Sequence, residues 1–135
     1  SHKLYQSMVK KIMDETNTGF IKHIGGLSLE KLDANNFKFS VVVKDIHLNS
    51  GKIAHGGFLS TIADTAMGTV AQVVSSKRCV TISLDVKFIS AALLNHTLVG
   101  KVKIQKKTNS LVFTTCEVFS SEAVVITASG VWKIL

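Results

Sequence analysis

Residues 49–76 read NSGKIAHGGFLSTIADTAMGTVAQVVSS, and the fold turns on the second half of this stretch. From residue 57 to about 75, Phe58, Leu59, Ile62, Ala63, Ala66, Met67, Val70, Ala71, Val73 and Val74 occupy nearly every side of a helix and leave a thin polar stripe. A helix that is apolar all round has to be covered by other elements. One charge, Asp64, sits in its middle, where a carboxylate is costly unless it is paired or put to use. His55-Gly56-Gly57 lies directly ahead, so backbone N–H groups without bulky side chains would stand at the positive end of the helix dipole. The stretch thus combines a carbonyl-polarising helix start with a single acid. Gly57 and Asp64 are seven residues apart, about 10 Å along the axis at 1.5 Å per residue. A catalytic base has to lie within ~3 Å of the reacting atoms, or one water away. Two antiparallel helices could bring both groups to one substrate where a single helix cannot. The spacing itself calls for a dimer.

The remaining chain supplies the cover. Upstream, residues 3–15 set Leu4, Met8 and Ile12 at helical spacing, a short amphipathic helix stopped by Thr16-Asn17-Thr18-Gly19. Residues 20–26 read as a connector. Alternating residues in 27–32 and 37–44, on either side of Ala34-Asn35-Asn36, predict a hairpin. Downstream, residues 79–89 show the cleanest period of two, with Val80, Ile82, Leu84, Val86 and Phe88 facing away from Thr81, Ser83, Asp85 and Lys87. Residues 97–106, 111–120 and 124–134 then form a meander. The expectation is an α+β fold over residues 1–135, one domain with an antiparallel sheet of about six strands wrapped around the long helix. The strand carrying Ser83 is the candidate for pairing with its own copy. Ser1-His2 reads as an expression remnant.

Composition narrows the function. Sixteen Lys and Arg against nine Asp and Glu give a net charge of +7, a sign that suits a polyanion such as nucleic acid, an anionic membrane or a phosphate-bearing small molecule. The aromatic and basic interleaving of a nucleic-acid module is missing, because the seven Phe fall mainly at strand core positions. Asp64 and several Thr, Ser and Gly make the long helix a buried one rather than a membrane span. Cys79 and Cys116 lie in strand patterns without metal spacing and read as free thiols of a cytoplasmic protein. There is no GxSxG, no Walker A loop and no His/Cys metal cluster.

Asn49, His55-Gly56-Gly57, Asp64 nine residues after the His, the TISLDVKF strand and the closing meander together resemble the PaaI-like hotdog-fold thioesterases, over roughly residues 5–135. The resemblance implies hydrolysis of acyl-CoA thioesters in a homodimer or a dimer of dimers, without metal or cofactor. It implies that the Gly56 or Gly57 N–H polarises the thioester carbonyl, assisted by Asn49. Asp64 would be base or nucleophile, and Ser83 would orient the water or the carboxylate. His55 reads as a cap or loop-orienting residue, or as a base. Phe58 would line the acyl pocket with Ile62, Met67 and Phe88. Lys77, Arg78, Lys106 and Lys107, with Lys101 and Lys103, are candidates to grip the CoA phosphates. The chain departs from the family pattern at Lys52, where a Gly usually stands three residues before the His, and after Phe88, where a Pro is replaced within Ile89-Ser90-Ala91-Ala92. Two other functions fit the same residues: a non-catalytic acyl-CoA-binding protein, and a hydratase or dehydratase acting on acyl thioesters.

Overall fold

A computed structural model describes residues Ser1–Leu135. The chain runs through helix α1 (His2–Thr16), a one-turn helix α2 (Gly19–His23), strands β1 (Ser28–Lys31) and β2 (Asn36–Val42), and a short 3₁₀ turn at Asp45–His47. Helix α3 (Gly56–Ser75) follows, then β3 (Cys79–Phe88), β4 (Thr97–Lys107), β5 (Leu111–Ser120) and β6 (Ala123–Ile134). All six strands join one antiparallel sheet in the order β1-β2-β4-β5-β6-β3. The sheet curls around α3, as the apolar circumference of that helix requires. Ala63, Ala66, Met67, Val70 and Ala71 have no solvent exposure at all. Phe39 lies directly over Gly100, where any Cβ would fall 2.0 Å from its ring, so the glycine makes room for the aromatic.

Three local expectations are corrected. The segment expected to be a plain connector contains α2. Helix α1 turns Tyr5, Val9 and Ile12 onto the core, while Leu4, expected on that face, is 72% exposed. Its end is fixed by Asn17, whose side-chain N–H bonds the carbonyls of Met13 and Leu27 while its oxygen accepts from the Leu27 N–H. The third correction bears on function. The period of two in β3 is broken by a bulge: Thr81 faces Trp132 of β6, but Ser83 faces Val131, so Ile82 is the extra residue. Cys79 and Thr81 therefore share the helix-facing side with Leu84, Val86 and Phe88, whose partners are Gly130, Ala128 and Ile126. Val80, Ser83, Asp85 and Lys87 lie on the outer side.

Strand β3 is an edge of the sheet, and it is far more apolar than an edge facing water should be. Val80, Ile82, Leu84 and Phe88 are 37–59% exposed, continuing into Ile89. No helix is long and apolar enough to cross a membrane.

Candidate active site

The loop before α3 is organised by Asn49. Its side-chain oxygen accepts from the Gly51 and Ile53 N–H groups, and its backbone closes the turn with Ile53 and Lys52. Asn49 thus caps its own loop, and its amide N–H₂ is left without a protein acceptor. Lys52 adopts a left-handed conformation (φ +64°), one that glycine takes without a Cβ penalty. His55 is the N-cap of α3: its Nδ1 accepts from the Gly57 N–H at 2.7 Å. A Cβ on Gly57 would lie 2.9 Å from that nitrogen, so the glycine lets the ring fold back. Of the two glycine N–H groups expected to polarise a carbonyl, Gly57 is thereby taken. Gly56 donates to no protein atom. It opens with Asn49, Leu59, Phe88 and Ala92 onto a cleft of about 370 Å³.

Asp64 stands two turns further along α3, half-buried rather than enclosed, because the sheet edge leaves the polar stripe of the helix open. Its Oδ1 accepts from the Thr81 hydroxyl at 2.7 Å. Asp64 and Thr81 line a second cleft of about 230 Å³ with Thr65, Gly68, Gln72 and Trp132, among others. The bulge is what brings a hydroxyl to the carboxylate, and sequence periodicity gave no sign of it. Ser83, expected beside Asp64, lies on the opposite side of the sheet. The hydroxyl set against Asp64 is that of Thr81, which the alternation of β3 placed on the other side with Ser83.

Other expected site residues are placed as follows. Phe58 is buried and stacks on His47 (centroids 3.8 Å, 10° between planes), beneath the helix rather than in either cleft. His47 is locked there, accepting from the Lys44 N–H while its other nitrogen bonds the Ile24 carbonyl. Ile62 and Met67 are likewise core, so only Phe88 of the expected acyl-pocket wall reaches a cleft. Arg78 lines the Asp64 cleft and pairs with Glu15 at 2.9 Å, with Lys77 beside it. Lys106 and Lys107 belong to the same end of the sheet, but the row from Lys107 through Val112 and Trp132 to Thr81 spans three strand spacings, about 14 Å. Cys116 is buried, which pushes its thiol pKa up to about 12, with Glu117 adding to the shift; Cys79 is half-buried, and both are free.

The wrapped-helix architecture is shared with solved structures. A hypothetical thioesterase from Streptococcus pneumoniae, solved with coenzyme A, superposes with a TM-score of 0.82 at 19% identity, covering 91% of this chain and 96% of that one. The Escherichia coli PaaI protein of the phenylacetic acid degradation operon gives 0.83 at 17% identity, covering 96% and 94%. Both confirm the hotdog fold. In sequence, a Pseudomonas aeruginosa protein that carries an esterase name is 32% identical over 95 residues, 68% of this chain and 70% of its own length. The thioesterase superfamily matches residues 51–127, a span holding the Gly56 helix start, Asp64 and Thr81. With more than half of its length so matched, the chain belongs to the thioesterase superfamily.

Proposed function

We propose that this protein hydrolyses acyl-CoA thioesters to the free acid and CoA at a site that two subunits complete. Family membership supports acyl thioester hydrolysis in general; the CoA carrier, the residue roles and the dimer are the proposal. One observation carries it: the two half-sites lie at opposite ends of the exposed strand β3. Gly56 sits against the Phe88 ring at its C-terminal end, and Asp64 bonds Thr81 near its start. Antiparallel pairing of β3 with its copy, centred near Leu84 and Asp85, sets the Phe88 end of one subunit beside the Thr81 end of the other. Each dimer then holds two equivalent sites. The same pairing covers the apolar edge.

In this reading the thioester oxygen accepts from the Gly56 N–H at the positive helix end, with the Asn49 amide as a second donor. Asp64, held through one oxygen by Thr81, takes a proton from water with the other. The hydroxide attacks the carbonyl carbon, and the displaced electron pair rests on the oxygen facing Gly56. The tetrahedral species then expels CoA thiolate, which recovers the proton from Asp64. Lys77, outside the Asp64 cleft, and Lys106 and Lys107 further along that sheet end supply positive charge for the CoA phosphates, while Arg78 at the cleft is held by Glu15. His55 is spent on the helix cap and is not paired with Asp64, which disfavours the hydratase reading. The test is turnover of a panel of acyl-CoAs by Asp64→Asn. The expected result is a loss of ~10²–10⁴-fold with acyl-CoA binding retained. A folded Asp64→Asn protein with normal turnover ends the assignment, and binding without turnover in the wild type makes the protein an acyl-CoA binder. Single turnover in heavy-oxygen water separates base from nucleophile: label in Asp64 means the carboxylate attacked.

A further inference from the structure

Trp132 is the only tryptophan of the chain and is 1% exposed, yet its indole N–H donates to no protein atom. A buried indole N–H normally has a partner. The one fully buried side-chain polar atom without a partner is Thr114 Oγ1, so Trp132 Nε1 is instead reached by solvent. It is reached through the cleft that Asp64 and Thr81 line. Gly68, one helical turn past Asp64, keeps it uncovered, since a Cβ there would lie 2.9 Å from Nε1. One turn further, the Gln72 side-chain amide also lines the cleft without a protein partner.

Resting on the hydrolase reading above, we infer that this cleft is the acyl subsite, and that Trp132 selects short acyl groups carrying an uncharged hydrogen-bond acceptor, a keto or hydroxyl oxygen. Three features set the class. The part of the cleft that one chain forms is about 230 Å³, and since a cavity of about 150 Å³ holds benzene, it has room for a short chain or one ring. A plain hydrocarbon here would strip water from the Trp132 N–H and return nothing, the arrangement by which a polar site rejects an isostere lacking the acceptor. An anionic tail is disfavoured because Asp64 and Glu15 both line the cleft and its one cation, Arg78, is engaged with Glu15. The acceptor belongs one turn along α3 from Asp64, about 6 Å at 1.5 Å per residue, a few bonds beyond the thioester carbon.

A single tryptophan makes the test direct, because ¹⁵N-labelled protein gives one indole N–H resonance. It is recorded with two non-hydrolysable CoA thioethers, the analogues of levulinoyl-CoA and valeryl-CoA, which differ by a keto oxygen. The keto tail is expected to move the indole proton downfield and the alkyl tail not to. In turnover, the ratio of kcat/KM for levulinoyl-CoA over valeryl-CoA is expected to be roughly three- to tenfold in the wild type. It is expected to collapse towards one in Trp132→Phe, and also in Gly68→Ala, whose methyl shields the N–H while keeping the indole. An indole resonance that responds equally to both tails, or to neither, overturns the subsite. A selective indole response in a protein that hydrolyses neither thioester upholds the subsite and overturns the hydrolase reading instead.

Discussion

Replacing Thr81 with Val keeps the shape of the side chain and removes the one hydroxyl that bonds Asp64. The Thr81–Asp64 contact is 2.7 Å, short as expected for a bond to a carboxylate. Hydrogen bonds to charged groups contribute about 1.5–3 kcal/mol, and here the bond fixes which carboxylate oxygen is presented to water. If that energy is lost from the transition state, kcat falls roughly ten- to hundredfold, at 1.36 kcal/mol per decade. Thr81 acts through Asp64 and does not grip the substrate, so KM should stay close to the wild-type value. Steady-state release of CoA thiol, followed with a thiol reagent, reads both constants. Thr81→Ser, which restores a hydroxyl, should recover most of the lost kcat. Ser83→Ala, on the other side of the sheet, should leave kcat near wild type. Full kcat in Thr81→Val, or an equal loss in Ser83→Ala, refutes the placement of the bulge and the role drawn from it.

Lys52 holds a left-handed conformation at φ +64°, so Lys52→Gly should relieve strain of about 1 kcal/mol, partly offset by the freer unfolded chain. The net expectation is a Tm raised by about one to two degrees in thermal unfolding. Burial raises the Cys116 thiol to about 12 from an ordinary 9.0. The folded state therefore keeps a proton that the unfolded chain gives up. The stabilising contribution is whole below pH 9 and is lost as pH rises towards 12, at about 1.4 kcal/mol per pH unit. Urea unfolding across that window should show a steeper alkaline loss for the wild type than for Cys116→Val.

The fold was legible because its strongest signals are local and periodic. The all-apolar helix dictates a covering sheet, and the alternations supply its hairpin and its meander as expected; the joins of β2 to β4 and of β6 to β3 were not legible. What stayed hidden depends on contacts between distant segments. A one-residue bulge in β3 leaves no mark on composition or hydropathy, yet it exchanges Thr81 for Ser83 at the carboxylate. Phe58, expected in the acyl pocket, is core instead, because His47, eleven residues earlier, stacks on it. The choice between Gly56 and Gly57 rested on where the His55 ring folds. Asp64 lies on the long helix as expected, but its setting differs: the strand beside it is an edge, so the carboxylate is open to a cleft and not enclosed.

The central claim, a site shared between subunits, is tested by complementation. Gly56→Val crowds the Phe88 ring, already 3.2 Å from an added Cβ, and blocks the carbonyl half-site; Asp64→Ala removes the acid half-site. Each homodimer should be nearly inactive. After subunit exchange, each mixed dimer carries one site with both defects and one with neither. Half of the dimers are mixed, so about a quarter of wild-type activity should return across a symmetric interface. No recovery, with exchange verified by native mass spectrometry, would mean that Gly56 and Asp64 serve one chain's own site, and the shared-site account would be wrong.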